Sequence, residues 1–457
     1  MALYDTFVNL FDICNIIYII VFEYVKFILL QFFYSNHDKY KFVDNICLKM
    51  ININILYIKI FQAIALNNSI INHTINNKLL KFTNNTPYCD NDIDYDVMDS
   101  LVHQYNITFD SYIPINSGMI SLVFRGKMLQ HENTLTSNEK KEIIIKIKRK
   151  NIDDKLKIDI DKLLFFAYLL NVIPIFKQYK FEQIINKNIK LIHQQLDFKN
   201  EIKNMNTIRQ NCKNLKYIIV PSCPFENIAD EYSNVIIMDY IKGVTIDNID
   251  KNDKEEFAKQ LIKFGAITTL LHGYSHGDLH SGNILFIKDL NEKSSNKYKL
   301  GIIDFGIAFI IKETFKNKMF EIMTNIFINP PIITAEQILC SGLIKPVELI
   351  KLLPKKHYTE IINMITHMLD EILTINNNNN SNNKVNQNKI FEFISLFNSY
   401  LSNNNLSMYG IYLSDDFVKT QLSLAMAQGV TLTLCGKKYI ELTSQVINEL
   451  FHLDLLK

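Results

Sequence analysis

Just past its middle the chain carries "HGDLHSGNILF" (His276–Phe286), and 21 positions beyond Asn283 comes "DFG", starting at Asp304. Asp278, Asn283 and Asp304 are oxygen-bearing side chains in a stretch dense in glycine. Six of the 13 glycines fall between Gly265 and Gly306, and none precedes Gly118. This set suits phosphoryl transfer from ATP. One group must orient or deprotonate the acceptor, oxygen ligands must hold Mg²⁺, and a glutamate-held lysine must steady the α- and β-phosphates. The spacing matches the kinase catalytic loop H-R-D-L-x-x-x-N followed by D-F-G, with His276, Asp278 and Asn283 in register. Asp278 is expected to face the acceptor, and Asn283 and Asp304 to hold the metal. The glycines are expected to let the backbone turn tightly around phosphates and ions. Either motif alone would arise in ordinary turns; the two in this order and spacing do not.

The rest of a nucleotide site follows upstream. In "EIIIKIKRK", Lys146 stands among isoleucines on an expected strand, in the manner of V-A-I-K. A lysine inside such an apolar run is costly unless paired. "QQLDFKNEIKNMNTIRQN" (Gln194–Asn211) offers Glu201 on a following helix. "IIMDYIKG" then reads as the strand and hinge behind an adenine, with Met238 as gatekeeper and the backbone of Asp239 and Ile241 meeting the base.

These residues need elements to hold them. At 457 residues, 48% apolar and 21% charged, the chain can build two or three units with a sizeable core. The pattern predicts α+β: a bilobal protein-kinase-like fold with a helical N-terminal extension, a strand-rich N-lobe and a helical C-lobe. Residues 1–50 read as an apolar helical segment and 51–110 as the extension, helical first and loop-like through "CDNDIDYD" (Cys89–Asp96). Residues 111–241 read as the N-lobe and 242–457 as the C-lobe. "YIPINSGMISLVFRGKM" predicts strand, turn, strand; "TLTSNEKK" a hairpin loop; 153–215 helices. "KYIIVPSCPF" and "NVIIMDYIKG" predict a strand pair. "INNNNNSNNKVNQNK" (Ile375–Lys389) is a polar low-complexity insert.

A net charge of +2 calls for no nucleic-acid partner. Seven scattered cysteines with no CxxC pair suggest reduced thiols in a reducing compartment. "NIIYIIVFEYVKFILLQFF" (Asn15–Phe33) approaches the length of a membrane span. Glu23 and Lys26 near its centre favour a helix buried against the protein or lying on a membrane surface. No basic n-region or small-residue cleavage site marks a signal peptide.

The details resemble one family, the UbiB-type or aarF-domain-containing atypical kinases, over about residues 55–310. "HGDLHSGNIL" is similar to that family's H-x-D-x-H-P-G-N, with His280 where ordinary kinases have lysine. "QLDFKNE" resembles E-L-D-F-x-x-E, whose last glutamate pairs the strand lysine. "IKIKRKNIDDKLKIDIDKL" resembles the strand V-K-V-Q-R-P-G and its following helix. "YIKIFQAIALNN" resembles the K-x-G-Q element of the extension, which in that family folds over the active site; Lys59 and Gln62 match, while Phe61 replaces glycine. The family's alanine-rich nucleotide loop aligns with "NSGM", where Gly118 implies a more flexible loop. Gln195 replaces the first glutamate of E-x-D, leaving Asp197 as the candidate to hold Lys59. The resemblance implies ATP and Mg²⁺ as nucleotide and metal. It also implies ATPase or phosphotransfer activity supporting isoprenoid-quinone or lipid metabolism at a membrane, with a lipid or quinone precursor as one candidate for an acceptor the sequence does not identify. No A-P-E follows DFG, which speaks against a peptide-docking platform. Two other readings stay open: a small-molecule phosphotransferase of the aminoglycoside or choline kinase type, and a nucleotide-binding scaffold without turnover.

Overall fold

A computed structural model of the chain describes residues 2–33, 41–58, 86–129, 140–172, 181–225, 227–292, 297–325, 329–342, 344–377, 400 and 412–452. The chain forms two compact units, Met1–Arg209 with Val220–Lys242, and Gln210–Ile219 with Gly243–Lys457.

The first unit is built on an antiparallel sheet. Its strands are β1 (Ile107–Phe109), β2 (Asn116–Ser117), β3 (Ser121–Leu129), β4 (Lys140–Lys148) and β6 (Val235–Asp239), in the order β1-β3-β4-β6 with β2 beside β3. Strand β4 is central because its isoleucines suit both faces of a covered sheet. Ile143, Ile145 and Ile147 alternate on one buried face, and Lys146 and Lys148 occupy the other. Lys146 stands opposite Val123 on β3 and Ile236 on β6. The helices of this unit are α1 (Ala2–Phe33), α2 (Lys41–Ile53), α3 (Tyr95–Tyr105), α4 (Ile152–Val172), α5 (Phe181–Leu196), α6 (Phe198–Asn211) and the single turn α7 (Ile228–Glu231).

One apolar cluster joins Ile16 of α1, Cys47 and Ile51 of α2, the turn Ile55–Ile58, and Leu156 and Ile160 of α4. Met119 and Ile120, at the tip between β2 and β3, belong to the same cluster. Glu23 lies at its margin, buried; Lys49 donates to it at 2.6 Å and Asn45 at 3.1 Å. Burial works to raise its pKa, but the hydrogen bonds from Lys49 and Asn45 and the Lys49 charge outweigh that and hold it below the ordinary value. The acid that interrupted the apolar N-terminal run is therefore turned inward. Among the described residues no helix is long and apolar enough to cross a membrane.

The second unit has α8 (Lys254–Ala266) packed against α13 (Asp415–Cys435) and α14 (Tyr439–His452). Around it lie α9 (Glu313–Asn325), α10 (Pro331–Cys340), α11 (Val347–Lys351) and α12 (Lys355–Asn377). Strands β8 (Ile284–Lys288) and β9 (Tyr298–Ile302) form a sheet with β5 (Ile218–Ile219); β7 (Tyr274–His276) pairs with β10 (Ala308–Ile310), and β11 (Ile344–Lys345) with β12 (Tyr412–Leu413).

Several expectations change. The strand pair predicted from "KYIIVPSCPF" and "NVIIMDYIKG" does not form: β5 runs parallel to β9, while β6 pairs with β4. Pro221 ends the first segment, since it has no N–H to continue a ladder. The acidic run read as loop ends in a helix, because the Asp94 carboxylate accepts from Val97 N at 3.4 Å and caps α3. Tyr112–Ile115, read as strand, forms none; the strand there is the short β2 that begins at Asn116. Part of "TLTSNEKK" and most of the Asn-rich insert lie outside the described residues.

Candidate active site

In the first unit, Lys146 Nζ lies 2.7 Å from Glu201 Oε1 and 2.9 Å from Oε2, with the Phe198 ring centroid 5.6 Å away. Lys146 is 8% exposed and Glu201 2%. Glu201 falls in the first turn of α6, where the helix dipole favours negative charge. Asp197 starts that helix. Its side chain accepts from Asn200 N at 3.0 Å and its carbonyl from Glu201 N at 3.0 Å. Asp197 thus caps the helix that presents Glu201, while Lys59, Phe61 and Gln62 lie outside the described residues. Gln195 is half-buried.

The expected nucleotide loop, "NSGM", spans β2 and the turn to β3. Gly118 N donates to Ser121 O at 2.8 Å. A Cβ on Gly118 would meet Ser121 O at 3.4 Å, an ordinary contact, and no left-handed backbone demands glycine there. The loop is held by a side chain the sequence reading passed over. Arg149 Nη2 donates to Gly118 O at 2.9 Å and to Ser117 Oγ at 2.9 Å. The signal was present, since Arg149 is one of only three arginines in a chain that otherwise uses lysine. Met238 is buried at the end of β6, and Ile241 is buried beyond it. Asp239 N donates to Ser222 O at 3.0 Å, and the Asp239 carboxylate takes Lys141 at 2.6 Å and the Ser222 hydroxyl at 2.5 Å. The Asp239 N–H is thereby committed within the protein.

In the second unit, β7 delivers His276 into a bent loop that ends in a 3-10 turn, Ser281–Asn283. His276 is 3% exposed. Its Nδ1 accepts from Asp278 N at 3.1 Å, so the proton sits on Nε2, which donates to the Asp304 carbonyl. Burial pushes its pKa down, against the nearby Asp278 and Asp304. His276 therefore joins the two motifs as a neutral imidazole. Asn283 Nδ2 donates to Asp278 O at 2.9 Å, which leaves Oδ1 as the acceptor end of that amide. His280 Nδ1 accepts from Gly282 N at 3.1 Å, and its Nε2 lies 4.0 Å from Asp278 Oδ2. Asp304 takes the left-handed conformation itself, at φ 62°, and its Oδ1 accepts from Gly306 N at 3.2 Å.

The glycines of this stretch divide in role, and Gly273 takes a left-handed backbone at φ 63°. Among the described ones, Gly277 and Gly306 are not at positive φ. Gly277 is needed for close approach: a Cβ there would come within 2.5 Å of Ile307 Cγ2, where Gly277 N donates to Ile307 O at 2.8 Å. The sharp turn is carried by Asp304. Beyond DFG, β10 ends at Ile310 and α9 begins at Glu313, as the missing A-P-E motif led us to expect.

The donor types can be tested against Mg²⁺. It favours hard oxygen ligands, keeps waters, and usually takes one or two carboxylates plus substrate phosphates. The Asp304 carboxylate and the Asn283 amide oxygen suit it. Among the described residues no group of three or more His, Cys, Asp and Glu forms a protein-only metal cage.

A buried strand lysine paired with a helix glutamate, a histidine-anchored D-x-x-x-x-N loop and a DFG turn define the class: an α+β, kinase-like protein. Residues 92–330, just over half of the chain, match the model of the ABC1 atypical kinase-like domain, and the chain belongs to that family. The probable serine/threonine-protein kinase abkB of Dictyostelium discoideum is 27% identical over 206 residues, covering 44% of this chain and 29% of that protein. The chloroplastic protein ACTIVITY OF BC1 COMPLEX KINASE 8 of Arabidopsis thaliana is 24% identical, covering 51% and 29%. AarF domain-containing protein kinase 1 of Gallus gallus is 27% identical, covering 34% and 30%. In each of these the match spans less than a third of the relative's length. The K-x-G-Q-like element at Lys59–Gln62 precedes the matched residues.

Proposed function

We propose that the chain binds Mg-ATP and uses it for ATP hydrolysis or phosphoryl transfer. The observation that carries this reading is the Lys146–Glu201 pair, a buried cation aligned by a buried acid. A structural core gains little from such a pair, because desolvation offsets the attraction. A site that must present a lysine to phosphates gains a fixed positive charge. Lys146 steadies the α- and β-phosphates, and the loop at Gly118 covers them. The adenine meets the Asp239 carbonyl and Ile241 beside Met238. Asn283 and Asp304 would hold Mg²⁺, which neutralises phosphate charge when bound. Asp278 takes the proton of the acceptor hydroxyl as its oxygen bonds the γ-phosphorus, and the bond to the β-phosphate oxygen breaks to release ADP.

A lipid or quinone precursor is the acceptor that the family resemblance favours. Contact with a membrane surface is supported by α1. Phe11, Ile17, Tyr18, Val21 and Leu29 are exposed on it, while Glu23 is withdrawn to Lys49. In this reading Lys59 and Gln62, which lie outside the described residues, are the working residues of the K-x-G-Q-like element, with Asp197 as the proposed partner of Lys59. The test is ATP hydrolysis by the purified chain with Mg²⁺, with and without lipid vesicles and quinone-like phenols. Hydrolysis lost in Asp278→Ala and stimulated by vesicles is expected; no Mg-ATP binding at all would overturn the reading.

A further inference from the structure

Arg149 immediately follows β4, three residues after Lys146, and only 3% of it is exposed. Its guanidinium is spent on two segments. Towards the loop, Nε donates to Gly118 O at 3.1 Å, and Nη2 to Gly118 O and Ser117 Oγ, both at 2.9 Å. Towards the segment that arrives from the N-terminal extension, Nη1 donates to Pro87 O at 3.0 Å and to Asp92 Oδ2 at 2.8 Å, and Nη2 to Thr86 O at 3.3 Å. Ser117 Oγ in turn donates to Thr86 O at 2.7 Å, and Thr86 N to Ser117 O at 2.7 Å. The Arg149 backbone closes the ring, its N–H donating to Ile120 O at 2.9 Å.

A planar fork with five donors can serve both segments at once, which a lysine ammonium cannot. The next residues of the loop, Met119 and Ile120, are fixed from another side by the apolar cluster containing Ile55–Ile58. The loop is therefore clamped between an arginine and a core formed by the extension.

We infer that Arg149 is a positioning residue for the nucleotide: it pre-orders the Ser117–Ile120 loop in its phosphate-covering form and couples that form to docking of the Thr86–Asp92 segment. This rests on the reading of the loop as the nucleotide loop. The physical basis is that a loop ordered before binding loses less entropy on binding. The loop touches bound nucleotide in ground and transition state alike, so its loss should weaken affinity more than turnover.

The experiment uses the full chain, with Mg-ATP binding followed by calorimetry, turnover by phosphate release, and hydrogen exchange across residues 115–121. Arg149→Lys should raise the Kd for Mg-ATP about tenfold or more, with the rate at saturation changed by less than about threefold, and loop exchange should quicken. Ser117→Ala, which removes one hydroxyl and keeps the guanidinium, should do the same to a smaller degree; it decides the matter if Arg149→Lys does not fold. A Kd equal to wild type in folded variants, with stability alone reduced, would overturn the positioning role. Wild-type protein that binds no Mg-ATP would instead overturn the site reading, and with it the role of the loop. Hydrogen exchange separates the cases, because slowed exchange in wild type and fast exchange in the variants shows the clamp with or without nucleotide.

Discussion

Lys146 and Glu201, 55 positions apart, meet through two hydrogen bonds of 2.7 and 2.9 Å in a place closed to water. Neither charge has a comparable hydration to return to. Lys146→Met would take the paired cation from a buried carboxylate, and should cost about 3–5 kcal/mol of stability. Glu201→Gln keeps an acceptor for the ammonium and should cost less, yet it should weaken nucleotide binding because the lysine loses its aligning charge. Denaturant unfolding of both variants checks the order. An unchanged midpoint for Lys146→Met would contradict the burial of the pair.

Asp304 has a backbone role and a proposed metal role, which one substitution can separate. Its backbone is left-handed, a conformation asparagine adopts with little strain and alanine adopts at a cost of roughly 1–2 kcal/mol. Asp304→Asn should preserve the turn while reducing Mg-ATP affinity about 10- to 100-fold, the scale on which perturbed metal sites lose affinity. Asp304→Ala should lose affinity and stability together. Asp278→Ala should leave Mg-ATP affinity near wild type and abolish most turnover. Calorimetry giving equal Mg-ATP affinity for wild type and Asp304→Asn would remove Asp304 from the metal site.

His276 makes stability sensitive to acid. Burial lowers its folded pKa below the value of 6.5 that it has when unfolded. Below that pH the unfolded chain binds a proton that the folded chain does not, so stability is full above about pH 6.5 and falls as pH drops. The slope from one such group reaches at most about 1.4 kcal/mol per pH unit. His272, also lowered, chiefly by burial and then by Lys316, adds in the same direction. Melting temperatures from pH 7.5 to 5.5 should decline for wild type and decline less for His276→Asn. Parallel pH profiles for the two proteins would exclude the histidine as the cause.

Gly118 is a glycine the structure does not require. An alanine methyl would meet Ser121 O at 3.4 Å and Ser121 Oγ at 4.0 Å, both ordinary contacts. Gly118→Ala should therefore keep the loop and raise stability by about 0.4–1 kcal/mol, through a less disordered unfolded chain. A melting temperature clearly below wild type would mean that the loop needs the glycine after all.

Two residues separate β10 from α9, so DFG is followed by one short strand and then a helix. Radiolabel transfer from ATP to a broad panel of peptides should stay at background for the full chain. Efficient labelling would move the assignment towards a conventional protein kinase.

The proposed chemistry can be read in the sequence because phosphoryl transfer would fix residue types and order. Asp278, Asn283, Asp304 and Lys146 are readable by spacing alone. Glu201 is readable because a lysine among isoleucines must have a partner. The same logic applies at Asn151, in register with the glycine of the family's strand motif: its φ of 58° is a conformation that asparagine and glycine share. What sequence could not decide was what each residue touches across long separations. The pairing of β5 with β9 and the turning of Glu23 towards Lys49 and Asn45 depend on partners far along the chain, and no local pattern encodes them. The clamp by Arg149 is of this kind, since its partners lie 31 to 63 positions away. The glycines misled for a related reason. Their number near the motifs suggested flexible turns; Gly273 does take a left-handed backbone, but packing uses Gly277 to bring Ile307 close, and at DFG the left-handed turn falls to Asp304. Composition and spacing set which atoms are available for chemistry; tertiary packing, by deciding which donors and charges lose water, set which of them are held in place to perform it.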